Sequence, residues 1–188
     1  GKVLIIGGQE PDVNNPNPGS TVEIYDPSSN TFSLFGNISM QRSSSVATLL
    51  PAGGVLITGG VSNCCGLIMQ SEIFDPSSGV STLVGNLLHS RRYQTSTYLS
   101  NGRILIAGGE GDAGIVLEAE FYDPSTGNFF QAANLVYPHS QHTDTVLSNG
   151  TVLIAGGGTD KSEIYNPNAV NNFNPVVETI TVPTEPIQ

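Results

Sequence analysis

The sequence predicts an all-β protein of about four like units, each a sheet of four antiparallel strands. A glycine doublet recurs at Gly7-Gly8, Gly59-Gly60, Gly108-Gly109 and Gly156-Gly157, spacings of 52, 49 and 48 residues. A second signature, Glu-x-aromatic-Asp/Asn-Pro, starts at Glu23, Glu72, Glu120 and Glu163, once per period. Between these marks lie short runs rich in β-branched and aromatic residues, with no 3.6-residue periodicity. A fixed period near 50 with four strand candidates per period predicts a β-propeller in which each repeat is one blade. The repeats run over about 1–41, 42–90, 91–138 and 139–173, and 174–188 form a C-terminal strand and tail.

The third repeat shows the logic of every element. Asn101-Gly102 tolerates the positive φ of a tight hairpin turn, and RILIA leaves that turn as a strand. Gly108-Gly109 ends it, a polar loop follows, and EAEFYDP is a second strand stopped by Asp123-Pro124. STGN turns the chain into a further strand at Phe129. In the first repeat Lys2 to Ile6 is apolar on both faces, as expected where neighbouring blades cover a sheet from each side. Its loop, QEPDVNNPNPGS, is rich in Pro and Asn and is expected at the surface; Thr21 to Pro27 and Phe32 to Gly36 complete the unit. The second repeat turns at Gly53-Gly54 into VLITGG and carries an unusual loop, VSNCCGLIMQ. The fourth begins YPHSQHTDTVLSNG and reaches EIYNP at Glu163. Aligned on its relatives, Gly1 falls on a turn glycine, so the first unit is one strand short. Val176 to Val182, β-branched and followed by a Pro-rich end, is the candidate to supply it, in its own molecule or in a neighbour by strand addition. A larger ring, of which these blades are a part, is the other reading of the same gap.

VLIIGG, VLITGG, ILIAGG and VLIAGG, each followed by EIYDP, EIFDP, EFYDP or EIYNP, resemble the kelch repeats, more closely their bacterial, galactose-oxidase-like branch. An upstream Arg-x-x-polar pattern fits, with Arg42 and Arg91 in register and His139 in its third copy. The resemblance covers nearly the whole chain and implies fold, since these positions build blades in the family. The family's usual outer-strand Trp is absent; Phe32, Ser81 and Phe129 stand in its place.

Composition narrows the partners. The formal net charge is −10, with six basic side chains against sixteen acidic ones; nucleic acid and anionic membranes would be repelled. No apolar run has the length of a membrane span.

The signature glutamates lie two residues before an aromatic, so each pair shares a strand face turned to the adjacent blade. A half-buried carboxylate needs partners; Arg42 and Arg91 are expected to serve some of them and backbone amides the rest. This makes Glu23, Glu72, Glu120, Glu163, Arg42 and Arg91 structural residues of the repeat, and no catalytic residue is assigned. Cys64-Cys65 reads first as a vicinal disulfide, with a metal or redox site, intermolecular bridges and a reduced pair as alternatives. Asn37-Ile-Ser and Asn149-Gly-Thr fit the N-glycosylation pattern. The resemblance to copper radical oxidases would make His139 and His142, with Tyr137, metal ligands. Residues three apart on a strand point to opposite faces, however, so no metal and no cofactor is expected. No nucleophile elbow, phosphate loop, dinucleotide fingerprint or Cys-x-x-Cys pair is present.

The expected function is that of a non-catalytic extracellular or cell-surface module that binds protein, copies of itself above all, and assembles through the tail strand into a chain or filament. Glycans are a second partner class. The rivals are the propeller domain of a secreted carbohydrate-active oxidase or lectin, and an intracellular adaptor of the kelch type.

Overall fold

The computed structural model describes residues 1–8 and 19–168. Regular structure among them is entirely β. The first sheet holds β1 (Val3–Ile6), β2 (Thr21–Asp26) and β3 (Thr31–Asn37), in that order. The second runs β4 (Val46–Leu49), β5 (Val55–Thr58), β8 (Gln70–Asp75), β9 (Val80–Asn86), and a small hairpin of β6 (Val61–Ser62) and β7 (Gly66–Leu67) projects between its middle strands. The third repeats this with β10 (Thr95–Tyr98), β11 (Ile104–Ala107), β14 (Glu120–Asp123) and β15 (Asn128–Gln131), and a hairpin of β12 (Glu110–Gly111) and β13 (Gly114–Ile115). The fourth has β16 (Thr143–Val146), β17 (Val152–Ala155) and β18 (Ser162–Tyr165). All pairings are antiparallel, and the second and third sheets each form the four-stranded meander that a propeller blade requires, whereas the first and fourth show three strands among the described residues. The segment 176–182, and most of the loop after Gly8, lie outside the described residues.

Consecutive sheets stack face to face. First strands neighbour first strands (β4, β10 and β16), and last strands neighbour last (β3, β9 and β15). This explains why β5 and β11 are apolar without alternation; β1, equally apolar and expected to be covered from both sides, is covered on one face only, with Val3 53% and Ile5 39% exposed on the other. Val55 and Ile57 of β5 join Val22 and Ile38 in a core shared with the first sheet, whereas Leu56, between them, joins Ile104 and Ile106 of β11 in the next core. Leu105 and Ala107 then point the other way, to Val152 and Ile154 of β17. A strand covered by a blade on each side has no solvent face, so period two disappears from its sequence.

The outer strands are less covered. Phe32 lies opposite Tyr25 with ring centroids 4.8 Å apart, and Phe129 opposite Tyr122 at the same distance. Ser81 is opposite Phe74 and offers no ring. Phe32 remains 62% exposed and Leu34 68%. No helix of the described residues is long and apolar enough to cross a membrane.

Candidate functional site

The recurring polar residues converge at the seam between sheets. Glu72 on β8 and Glu120 on β14 are fully buried, and each receives a guanidinium Nη2 at 2.7 Å, from Arg42 and Arg91 respectively. Each arginine also donates to the carbonyl of the first doublet glycine of its own repeat, Arg42 to Gly59 and Arg91 to Gly108, both at 3.1 Å. Further donations reach Gln70 O at 3.0 Å and Glu118 O at 2.7 Å. Burial pulls both guanidinium pKa values below their usual range, and the facing glutamates oppose that pull.

The glutamates reach backward as well. Glu72 accepts from the Ser39 amide and Ser81 hydroxyl, both at 2.6 Å, and Glu120 from the Leu88 and His89 amides at 2.7 and 3.3 Å. These amides and both arginines belong to the segments that join one sheet to the next, so each carboxylate ties its own strand, the third of its sheet, to that linker. The second doublet glycine closes the seam, with Gly60 N donating to Arg91 O at 2.9 Å and Gly109 N to His139 O at 2.8 Å. Register shifts at Val22/Glu23 and between Gln70 and Glu72 mark β-bulges beside the signature glutamate in the first two sheets.

Two copies depart from this arrangement. Glu23 is exposed, not half-buried against a neighbour, because no arginine of the described residues reaches it and β2 presents it to solvent. In the fourth copy His139 takes the arginine position. Its Nδ1 donates to Gly156 O at 2.7 Å, and its Nε2 lies 3.3 Å from Glu163 Oε1, within ion-pair distance but outside hydrogen-bond alignment. Glu163 is held by the Val136 and Tyr137 amides at 3.0 and 3.2 Å.

His139 and His142 do not point to opposite faces. Their ring centroids are 5.5 Å apart. The reason is that both precede β16, and Gln141 between them has φ of 58°, which breaks strand alternation. They nevertheless serve separate networks. The Thr95 hydroxyl donates to Asp144 Oδ2 at 2.7 Å, which leaves it to accept from His142 Nε2 at 3.0 Å. Among the described residues no group of three or more His, Cys, Asp or Glu side chains is arranged to hold a metal ion.

Cys64 and Cys65 are bonded to one another at the exposed tip of the β6–β7 hairpin. Asn37, at the end of β3, and Asn149 are both exposed. Asn149 Oδ1 accepts from the Thr151 amide and hydroxyl at 3.0 and 2.7 Å, and so shapes the turn.

The repeated Asp-Pro-Ser adds a further set of residues. Asp26, Asp75 and Asp123 each accept from the amide and hydroxyl of the serine two residues on, at 2.6 to 2.9 Å. Those bonds hold the carboxyls of Asp26 and Asp75 down at about 2 and lower that of Asp123. Their stabilising contribution is therefore full above pH 3.8, the ordinary value, and is lost as pH falls towards about 2. Melting temperature followed from pH 5 to 2 is expected to fall less steeply for an Asp26→Asn/Asp75→Asn/Asp123→Asn variant, which keeps the accepting oxygen but not the titration. An identical slope would remove the assignment.

The last feature is an open groove of about 620 Å³ between the second and third sheets, lined by Leu50, Ile73, Tyr98, Asn101, Arg103 and Asp123 among others. Arg103 is steadied there by the ring of Phe130, 4.9 Å from the guanidinium carbon.

Among known families, the model of the kelch motif matches residues 1–37, the stretch that holds β1 to β3. No curated protein matches the chain.

Proposed function

We propose that these kelch-type β-propeller blades act as a non-catalytic module that binds protein, and that the preferred partner is another copy of the same chain, outside the cell or on its surface. A kelch motif in an all-β array of blades is the architecture of an interaction module. The observation that carries the reading is the division of labour among side chains. The buried carboxylates are engaged by arginine, histidine or backbone amides at the seams, whereas apolar side chains stand exposed along outer strands: Phe32 and Leu34 on β3, Val80 and Leu83 on β9. Apolar rows on sheet edges suit docking by shape and backbone pairing.

In its sharper form the assembly is a chain or filament linked by the segment 176–182, which adds to β1. Among the described residues that strand lies at the edge of its sheet, and Val3 is 53% exposed there, whereas the equivalent positions of β5 and β11 are buried. Deletion of 176–188 is expected to convert assemblies seen by electron microscopy and size-exclusion chromatography into single particles. Assembly that survives the deletion refutes the strand-exchange form. Because each copy carries −10, salt that screens this repulsion should favour association.

One observation favours a second reading, that of a lectin or of the propeller domain of a carbohydrate-active oxidase. The groove at Tyr98 combines an exposed ring with amide, guanidinium and carboxylate groups, a mixture suited to a sugar. Glycan-array binding that Tyr98→Ala abolishes would favour that reading over self-association.

A further inference from the structure

We propose that Cys64-Cys65 is a two-electron thiol–disulfide exchange site whose substrate is a small, soluble thiol. Both cysteines are exposed at the hairpin tip, so an attacking sulfur meets no lid. Exposed disulfides are the ones that exchange, whereas buried ones are inert. The second observation is a hydroxyl aimed at one sulfur and not the other. Ser62, only 4% exposed, has its Oγ 3.1 Å from Cys64 Sγ. A disulfide sulfur carries no hydrogen, so the serine is the donor.

This asymmetry sets the direction of attack. A thiolate RS⁻ attacks Cys65 Sγ, the bond between the two cysteine sulfurs breaks, and its electron pair passes to Cys64 Sγ. The resulting thiolate is stabilised by the Ser62 O–H, which is a stronger donor to charge than to a neutral disulfide, and then takes a proton from water. A second RS⁻ attacks the R-bearing sulfur of the mixed disulfide and releases Cys65 as a thiol together with RSSR. In sum, two RSH reduce one bond and yield two protein thiols. In the absence of a second thiol, Cys64 attacks its neighbour and expels RSH, since the two groups are held side by side. The site therefore releases a mixed disulfide quickly in either direction.

The hairpin confines the change. At its base, Val61 exchanges two backbone hydrogen bonds with Ser43 at 2.9 and 3.0 Å, and the Ile68 amide donates to Gly60 O at 2.9 Å beneath a buried Ile68 side chain. Opening the ring frees the tip and leaves these anchors in place.

The test uses the full chain under native conditions with glutathione and dithiothreitol as the thiols. Before reduction, iodoacetamide added in denaturant should label no cysteine by intact mass. After reduction two labels are expected, with an unchanged far-ultraviolet circular dichroism spectrum. Ser62→Ala should slow the reduction roughly three- to tenfold, and Ser62→Thr, which keeps the hydroxyl, should restore it. Peptide mapping of a trapped mixed disulfide should place glutathione on Cys65. Two labels before reduction, reduction only in denaturant, glutathione on Cys64, or an unchanged rate in Ser62→Ala would each overturn the proposal.

Discussion

Replacing Arg91 with methionine is expected to lower the melting temperature by roughly 10 °C. The variant removes the guanidinium and leaves Glu120, fully buried, facing a thioether. An uncompensated buried charge of this kind costs about 3–5 kcal/mol, and at this chain length each kcal/mol is worth about 2–4 °C. Three carbonyls, of His89, Gly108 and Glu118, lose a donor at the same time. Combining Arg91→Met with Glu120→Gln should recover part of the loss, because the amide carries no charge, although its single oxygen keeps only one of the two bonds that Glu120 accepts through Oε2 from the Leu88 amide and through Oε1 from the His89 amide. A double variant no more stable than Arg91→Met would show that packing, not the stranded charge, dominates. Scanning calorimetry of the three proteins decides it. The half-exposed Arg92–Glu110 pair at 3.1 Å is the internal control, and its removal should cost about 1 kcal/mol at most.

The second large effect is expected at the glycine doublet. Gly109 has φ of +91°, and a Cβ there would stand 2.5 Å from Arg92 O and 2.9 Å from Gln94 N, both backbone atoms. The left-handed conformation alone costs an L-residue about 1–2 kcal/mol. The clash cannot be relieved by a side-chain rotation, and it pushes on the contact in which Gly109 N donates to His139 O of the next sheet. Gly109→Ala should therefore cost more than about 3 kcal/mol and broaden or split the unfolding transition, since the seam between two sheets is what it opens. Gly102, with φ of +86° but no atom within 4 Å of its Cβ position, separates the two terms. Gly102→Ala should cost only about 1–2 kcal/mol. Equal losses at the two positions would mean that φ alone explains the doublet.

These expectations indicate how far the residues themselves speak. Repeats of (V/I)LI(I/T/A)GG are readable because the strand, its turn and its end are decided by residues within ten positions of each other. The aromatic two places after each glutamate is readable for the same reason, since alternation along a strand is local. Arg42 and Arg91 could be named as partners because a buried carboxylate has few other cations to choose from in a chain with six. What alternation could not deliver was the meeting of His139 and His142, because a single positive φ at Gln141 undoes it. Nor could it show that Glu23 lies open while its three counterparts are sealed, a difference made by what stands beside each strand.

By itself, then, the amino-acid order determined the strand content, the period, the turn glycines and the loss of alternation in strands that are covered twice. Tertiary structure alone decided which amides the carboxylates hold, that a serine hydroxyl rests on Cys64, and which copies of the motif are closed. The physical reason is range. Strand and turn preferences act between chain neighbours, whereas the bonds that seal the seams join residues about thirty apart, such as Glu72 with Ser39 and Glu120 with Arg91, and exist only once the sheets have stacked.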